Sequence, residues 1–342
     1  GLRASIFTDT IQTLLVLPLL VVAMAGAVVA LGGAGAVYGG VVAADPTLLD
    51  PGFVAGLRFG LALAFAILGA ELINQLWWQR IYASSDGATL RRSFRTAAVA
   101  NAAIVFLAAL FGIVAVGHAD VVTNFASPAY NADVALFLLM DAAFPEWIVL
   151  AVVLLALLLV MSSADSLFSA LASLVTADLP RLMEDPTERT LLVAGRALTV
   201  VAAVLAVVVS LYARSVLRLF FLADLLGAAV AFPLVYGLYS ERLSGPAALG
   251  SSLLGLAVGV SFFPLPFGGA EALRSIPVLG AALPPPDPTY LLPFGGAMVV
   301  STVAALVAAR LSDASFDLGQ LSVTVRRLDE PIEAPGEEVR ES

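Results

Sequence analysis

Residues 146–178 read EWIVLAVVLLALLLVMSSADSLFSALASLVTAD, and the reading of this stretch governs the rest of the chain. Its first half is a run of Leu, Val, Ile and Ala, and the whole is longer than the ~20 apolar residues that a helix needs to cross a bilayer. Its second half keeps the apolar background but inserts Ser162, Ser163, Asp165, Ser166, Ser169 and Ser173. At about 100° per residue, Ser162, Asp165, Ser166, Ser169 and Ser173 share one helix face, with Ser163 turned off it. Ser162 stands about sixteen residues into the stretch, which at ~1.5 Å per residue puts it near the middle of a membrane. Polar groups at that depth are costly and need a partner, a water-filled cavity or a function. Serines alone also serve close helix packing. A carboxylate adds nothing to packing, whereas hydroxyls, a carboxylate and a backbone carbonyl are the hard oxygen ligands that suit a small alkali cation.

The rest of the chain is built of similar material. Of 342 residues, 60% are hydrophobic and 13% charged, with a mean hydropathy of +0.99, outside the range of domains that fold in water. Apolar stretches span 8–32, 54–80, 96–117, 146–178, 191–213, 217–239, 245–265 and 290–310. Hydrocarbon offers no partner to a loose backbone group and the runs are too long for barrel strands, so the fold class is all-α, a polytopic helical membrane protein over residues 1–310. With the N-terminus inside, thirteen arginines fall in inner segments and four (Arg58, Arg214, Arg218 and Arg274) in outer ones, so the positive-inside rule puts both termini in the cytoplasm and the protein in the plasma membrane. The outer loop 118–145 has the pattern of a short surface helix, and the proline-rich loop 266–289 reads as irregular. Residues 311–342 hold eight acidic residues against three arginines and form an acidic, disordered cytoplasmic tail. The chain opens on Gly1 with no initiator methionine or signal segment and reads as a fragment of a longer protein.

Composition also excludes chemistry. No cysteine is present, which removes disulfides, thiolate metal sites and cysteine nucleophiles; the lone His118 removes a His-pair zinc site. A net charge of −9 argues against nucleic acid as a partner.

Three further places carry polar groups within or at the edge of a span. Asp9, in Thr8-Asp9-Thr10, lies at the inner end of the first stretch, as either a solvated carboxylate on the helix dipole or a partner of Asp165 and Ser166. In the second stretch, polar residues begin directly after Gly69 with Glu71, Asn74, Gln75, Trp77, Gln79 and Arg80, the look of a discontinuous helix whose freed ends point at a ligand. Trp77, Trp78 and Arg80 also fit an interfacial belt, but Glu71 and Asn74 lie too deep for one. Asp224, in the sixth stretch, pairs either with Arg218 or with a solute.

The strings Gly1-Leu2-Arg3-Ala4-Ser5-Ile6-Phe7-Thr8-Asp9-Thr10-Ile11-Gln12, Asn74-Gln75 with Gln79-Arg80, and Ser162-Ser163-Ala164-Asp165-Ser166 ending in Thr176-Ala177-Asp178 resemble the sodium:solute symporter family. The resemblance implies a five-plus-five inverted-repeat, leucine-transporter-type fold lacking its first four core helices here, and sodium-coupled symport of a small organic solute by alternating access. It implies that Ser162, Ser163 and the backbone carbonyl of Leu159 bind the co-transported Na+, with no organic cofactor and no enzyme activity. By the same comparison Asp9, Asp165 and Ser166 form a second cation site or an exit path, and Glu71, Asn74, Gln75, Trp77 and Asp224 bind substrate. Leu68 and Leu72 stand where proline carriers place aromatic residues, and Ala223-Asp224-Leu225-Leu226 is similar to the urea and polyamine branch. The solute is a small polar one, with urea, polyamine, amino acid and carboxylate classes all open. Two alternatives stand beside sodium symport: proton-coupled symport through Asp9 and Asp165, and an intramembrane aspartyl enzyme on the same pair.

Overall fold

A computed structural model describes residues 2–118, 132–183, 187–212, 215–264, 276–277, 280, 283–313 and 317–318. Among them are eleven α-helices and two 3-10 turns, with no strand. In chain order the helices are α1 (Leu2–Ala30), α2 (Ala34–Ala44), α3 (Val54–Ile73), α4 (Gln75–Tyr82), α5 (Gly87–His118), α6 (Ala135–Ala143), α7 (Glu146–Leu182), α8 (Glu188–Tyr212), α9 (Val216–Gly237), α10 (Gly245–Phe262) and α11 (Leu291–Leu311). Eight of them, α1, α3, α5 and α7 to α11, are long and apolar enough to cross a membrane. The chain is a multi-pass, all-helical membrane protein. The acidic tail and most of the proline-rich loop lie outside the described residues.

The boundaries follow from local chemistry. α5 begins at Gly87, nine residues before the apolar run starts at 96, because the Asp86 carboxylate accepts the Thr89 N–H at 2.7 Å and its hydroxyl at 2.8 Å. Those bonds, with one from the Ser85 hydroxyl, hold the Asp86 carboxyl down at about 2. α2 has no counterpart among the eight apolar stretches. Gly32 and Gly33 at φ 95° and 92° turn the chain back after α1, and the small residues that follow form a helix too short to span. α2 then lies against α5 so closely that a Cβ on Gly117 would come within 2.7 Å of the Val41 nitrogen. α6 occupies the connection between α5 and α7, where one side of it is packed against its neighbours. Leu139 and Met140 are buried with Ala27 of α1 and Phe111 and Val114 of α5. Just ahead of it, the Asp133 carboxylate accepts the Val216 N–H at 2.8 Å and ties this segment to the start of α9.

The helices pack in two groups. One contains α3, α9, α10 and α11 around Phe221, Leu225, Phe263 and Phe294; the other contains α1, α2, α5 and α6, with α7 and α8 packed beside them. α9 is the centre of the first group and the most buried of the spans. Small residues make the close contacts. Gly255 and Gly259 of α10 face Ala297, Ser301 and the Pro293 carbonyl of α11, and Gly69 of α3 meets Gly227 and Ala228 of α9 backbone to backbone. The entry to α11 is fixed by Asp287, whose carboxylate accepts the Thr289 N–H at 2.9 Å, the Thr289 hydroxyl at 2.7 Å and the Leu292 N–H at 2.8 Å. Burial would push this carboxyl up, but the bonds from Leu292 and Thr289, with the nearby charge of Arg58, hold it below the usual carboxylate range. Tyr290 follows in the left-handed region at φ 60° and packs edge-on against Phe59, Phe221 and Phe263.

The α3–α9 crossing has no room for a methyl group, since a Cβ on Gly69 would lie 2.4 Å from the Ala228 nitrogen and one on Gly227 2.5 Å from the Ala70 nitrogen. Gly69→Ala and Gly227→Ala are each expected to destabilise the protein by about 1–3 kcal/mol. Gly60→Ala on the same helix, which meets nothing within 4 Å, should not. Thermal unfolding in detergent measures both.

Candidate functional site

The membrane-spanning run 54–80 is interrupted at a single residue. α3 ends at Ile73, Asn74 is extended at φ −71° and ψ 111°, and α4 starts at Gln75. The sequence reading puts the interruption directly after Gly69, where the polar residues begin. Gly69 instead stays helical because it is the contact with α9, and the break falls five residues later, where a side chain is available to cap the new helix. The Asn74 Oδ1 accepts the Leu76 N–H at 3.1 Å, and its carbonyl accepts the Trp77 N–H at 3.1 Å. The carbonyls freed at the end of α3 need donors, and the Trp78 indole supplies one to the Leu72 carbonyl at 2.9 Å. Glu71 Oε2 accepts from the Asn74 side-chain amide at 3.3 Å and from the Trp77 indole N–H. α4 is in turn held to α7 by Gln79, whose amide donates to the Ser173 hydroxyl at 2.6 Å; that hydroxyl donates to the Ala170 carbonyl.

Beside the interruption lies a cavity of about 420 Å³ between α1, α4, α5 and α7. α7 lines it with Leu159, Ser163 and Ser166, the interruption with Asn74, and α1 with Gln12 and Thr13. Ser166 is buried; Leu159 and Ser162 are half-buried; Ser163, Asp165 and Ser169 are exposed. The residues of α7 turned to this cavity are Leu159, Ser163 and Ser166, at i, i+4 and i+7; of the polar face read from the sequence, Ser166 lines it and Ser162, Asp165, Ser169 and Ser173 do not. Ser162, one residue before Ser163, does not line this cavity. Asp9 falls in α1, but its side chain lies outside the described residues.

A second cavity of about 390 Å³ opens on the other side of α4. Its wall contains Leu68, Glu71, Leu72, Trp77, Trp78, Phe94 and Asn101. Trp77 and Phe94 lie with ring centroids 6.3 Å apart, and the Arg80 guanidinium sits 5.6 Å from the Trp77 ring centroid. Of the candidate substrate residues, Glu71 and Trp77 face this cavity and Asn74 the first, while Gln75 is half-buried in the first turn of α4 and lines neither. Asp224 lines neither cavity. It is buried to 5% exposure in α9, its Oδ2 has no hydrogen-bond partner among the described residues, and the nearby charge that acts on it is that of Glu71. Arg218, the salt-bridge partner considered from sequence, donates instead to the Tyr290 hydroxyl. Thr13 and Asn101 were not singled out in the sequence; Asn101, an amide in the apolar run of α5, carried a signal that was there to be found.

The family model described as Sodium:solute symporter family matches residues 1–255. The chain belongs to the sodium:solute symporter family. Among curated proteins it is similar to the spermidine transporter DUR31 of Candida albicans (strain SC5314 / ATCC MYA-2876), 28% identical over 244 residues that cover 70% of this chain and 43% of that protein. The chain therefore spans less than half the length of this relative. No solved structure matches it. The family match covers α1 and the interrupted α3–α4 pair, continues through α7 and α9, and ends within α10, so both cavities lie inside it.

Asn74→Ala removes the cap of α4 and one donor to Glu71. It is expected to cost about 1 kcal/mol and to speed amide exchange at Leu76 and Trp77, as hydrogen-exchange mass spectrometry would show.

Proposed function

We propose that this chain carries the cation site of a sodium-coupled symporter that moves a small polar solute by alternating access. The observation that carries the reading is the cavity in which Leu159, Ser163 and Ser166 of α7 meet the helix interruption at Asn74 and the polar turn of α1 at Gln12 and Thr13. In this reading Na+ is cargo. The Leu159 carbonyl and the Ser162 and Ser163 hydroxyls supply part of its oxygen shell, and Asp9, Asp165 and Ser166 provide a second cation position or the route by which the ion leaves. Family membership supports the inverted-repeat arrangement, with α1 closing the first repeat, α3 to α9 forming the second, and α10 and α11 peripheral. Residues 1–310 would then be the transport domain, with a solvated acidic tail beyond and both ends of the chain on the cytoplasmic side of the plasma membrane, the orientation that collects thirteen of the seventeen arginines inside. The relative named for spermidine supports a small solute as the other cargo.

Coupling follows from linkage. An ion whose ligands come from α7 and from a second, moving element favours the state in which both are in place. About 1–3 kcal/mol of such coupling raises the affinity of ion and solute for each other by roughly 5- to 150-fold. The membrane potential adds about 2.3 kcal/mol per charge per 100 mV to inward movement.

The test uses isotopic sodium and the intact protein in proteoliposomes. Ser162→Ala combined with Ser163→Ala should raise the half-saturating sodium concentration at least tenfold, the equivalent of about 1.4 kcal/mol. Sodium dependence at wild-type strength in the double variant would overturn the site. Uptake of spermidine that persists when choline replaces sodium across a pH gradient would move the coupling ion to the proton.

A further inference from the structure

The first group of helices holds an imbalance of charge that sodium at α7 does not address. Asp224 is buried in α9 among Phe221, Leu225 and Ala228, with one carboxylate oxygen that no described residue satisfies. A carboxylate in that position ordinarily has a basic partner, because an isolated charge in an apolar span is expensive. Here the nearby charge that acts on it is a second acid, the exposed Glu71, which follows by two residues the glycine at which α3 meets α9. The nearby arginines are engaged with other groups. Arg218 donates to Tyr290, Arg58 acts on Asp287, and Arg80 lies over the Trp77 ring. Glu71 is held in turn by the neutral N–H groups of Asn74 and Trp77. Two acids therefore lie near the α3–α9 crossing, and the contacts shown for the arginines around them are with other groups.

Glu71 is also the acidic residue in the wall of the second cavity, where apart from the Asn101 amide the remaining surface is aromatic and aliphatic, with Trp77, Trp78, Phe94, Leu68 and Leu72. The negative face of an aromatic ring attracts a cation, and the Arg80 guanidinium over Trp77 shows that this ring accepts one. A carboxylate set among aromatic faces is the chemistry that recognises an organic ammonium group with a hydrocarbon body. It is poorly suited to a bare alkali ion, which requires a shell of oxygens that Trp77, Trp78 and Phe94 do not provide. A neutral or anionic solute would leave the charge of Glu71 and Asp224 uncompensated.

Resting on the symporter reading above, we propose that the solute is an organic cation: its ammonium group is taken by Glu71, its apolar part packs on Trp77, Trp78 and Phe94, and Asp224 acts from behind as a positioning residue that deepens the negative potential at Glu71. Glu71 touches the ligand directly. Asp224 works through it, so the two have different signatures.

The experiment measures tryptophan fluorescence of the full-length protein in detergent, in a background where Trp147 and every tryptophan outside this chain are replaced by Phe so that Trp77 and Trp78 report. Spermidine and choline serve as cationic probes, urea as a neutral one and proline as a zwitterion. Spermidine and choline should change the emission, and urea and proline should do so at least tenfold more weakly. Glu71→Gln should weaken the cationic probes at least tenfold, and Glu71→Asp, which keeps the charge, should recover most of that loss. Asp224→Asn should weaken them severalfold while leaving preference among neutral probes unchanged, the mark of a charge acting at a distance. Cation binding at wild-type strength in Glu71→Gln, or tighter binding of urea or proline than of the cations, would overturn the proposal. The Ser162→Ala and Ser163→Ala pair keeps the two readings apart: it should remove the effect of sodium while the cationic probes still quench in its absence. A loss of sodium dependence without loss of cation binding, or the reverse in Glu71→Gln, shows which of the two sites has failed.

Discussion

A backbone group inside a bilayer has no water to turn to, so an interruption in a spanning helix exists only where side chains take over the hydrogen bonds that the helix gives up. Asn74 is the point at which this constraint is met. Its side chain caps α4, the Trp78 indole satisfies the Leu72 carbonyl, and the Asn74 side-chain amide and the Trp77 indole N–H converge on Glu71. Each of these polar residues would be a liability on an unbroken helix. Together they turn one span into two pieces and place the junction between two cavities, one reaching the serine face of α7 and the other lined by aromatic rings.

The two pieces are anchored to different partners. α3 is fixed to α9 by glycines that bring the backbones into contact, so this half belongs to the group built around Phe221 and Phe294. α4 is tied by Gln79 to Ser173 of α7, in the other group. A change in the relation between the groups would therefore act on the extended residue between α3 and α4, on the Gln79–Ser173 bond and on the Asp133–Val216 bond. Binding of an ion at α7 and of a solute beside α4 would both act on that junction, which gives reciprocal coupling a physical route.

Much of the fold was legible from the sequence because hydropathy over twenty residues is a strong signal, and the serines and acid of residues 162–166 stand out from their apolar background. The reading went astray where packing decided the outcome. The sequence reading puts the break directly after Gly69, yet a glycine buried against Gly227 is among the most constrained residues of α3. Helical periodicity groups Ser162, Asp165, Ser166, Ser169 and Ser173 on one face, but no sequence shows which way a helix is rotated: Ser166 lines the cavity together with Leu159 and Ser163, and Asp165 and Ser169 do not. α2 was missed because eleven small apolar residues are too few to register as a span. The buried Asp224 was visible as a residue; that the nearby charge acting on it is Glu71 rather than Arg218 depends on the Tyr290 hydroxyl that Arg218 reaches instead.

The central claim is that α7 presents its mid-helix oxygens to an ion rather than to a neighbouring helix. A density map of the intact protein prepared in sodium, and again with sodium replaced by choline, tests it directly. The account predicts a compact peak beside the Leu159 carbonyl and the Ser162 and Ser163 hydroxyls in the first map, absent from the second. It is contradicted if those oxygens face lipid, or if a side chain fills the space beside them in both.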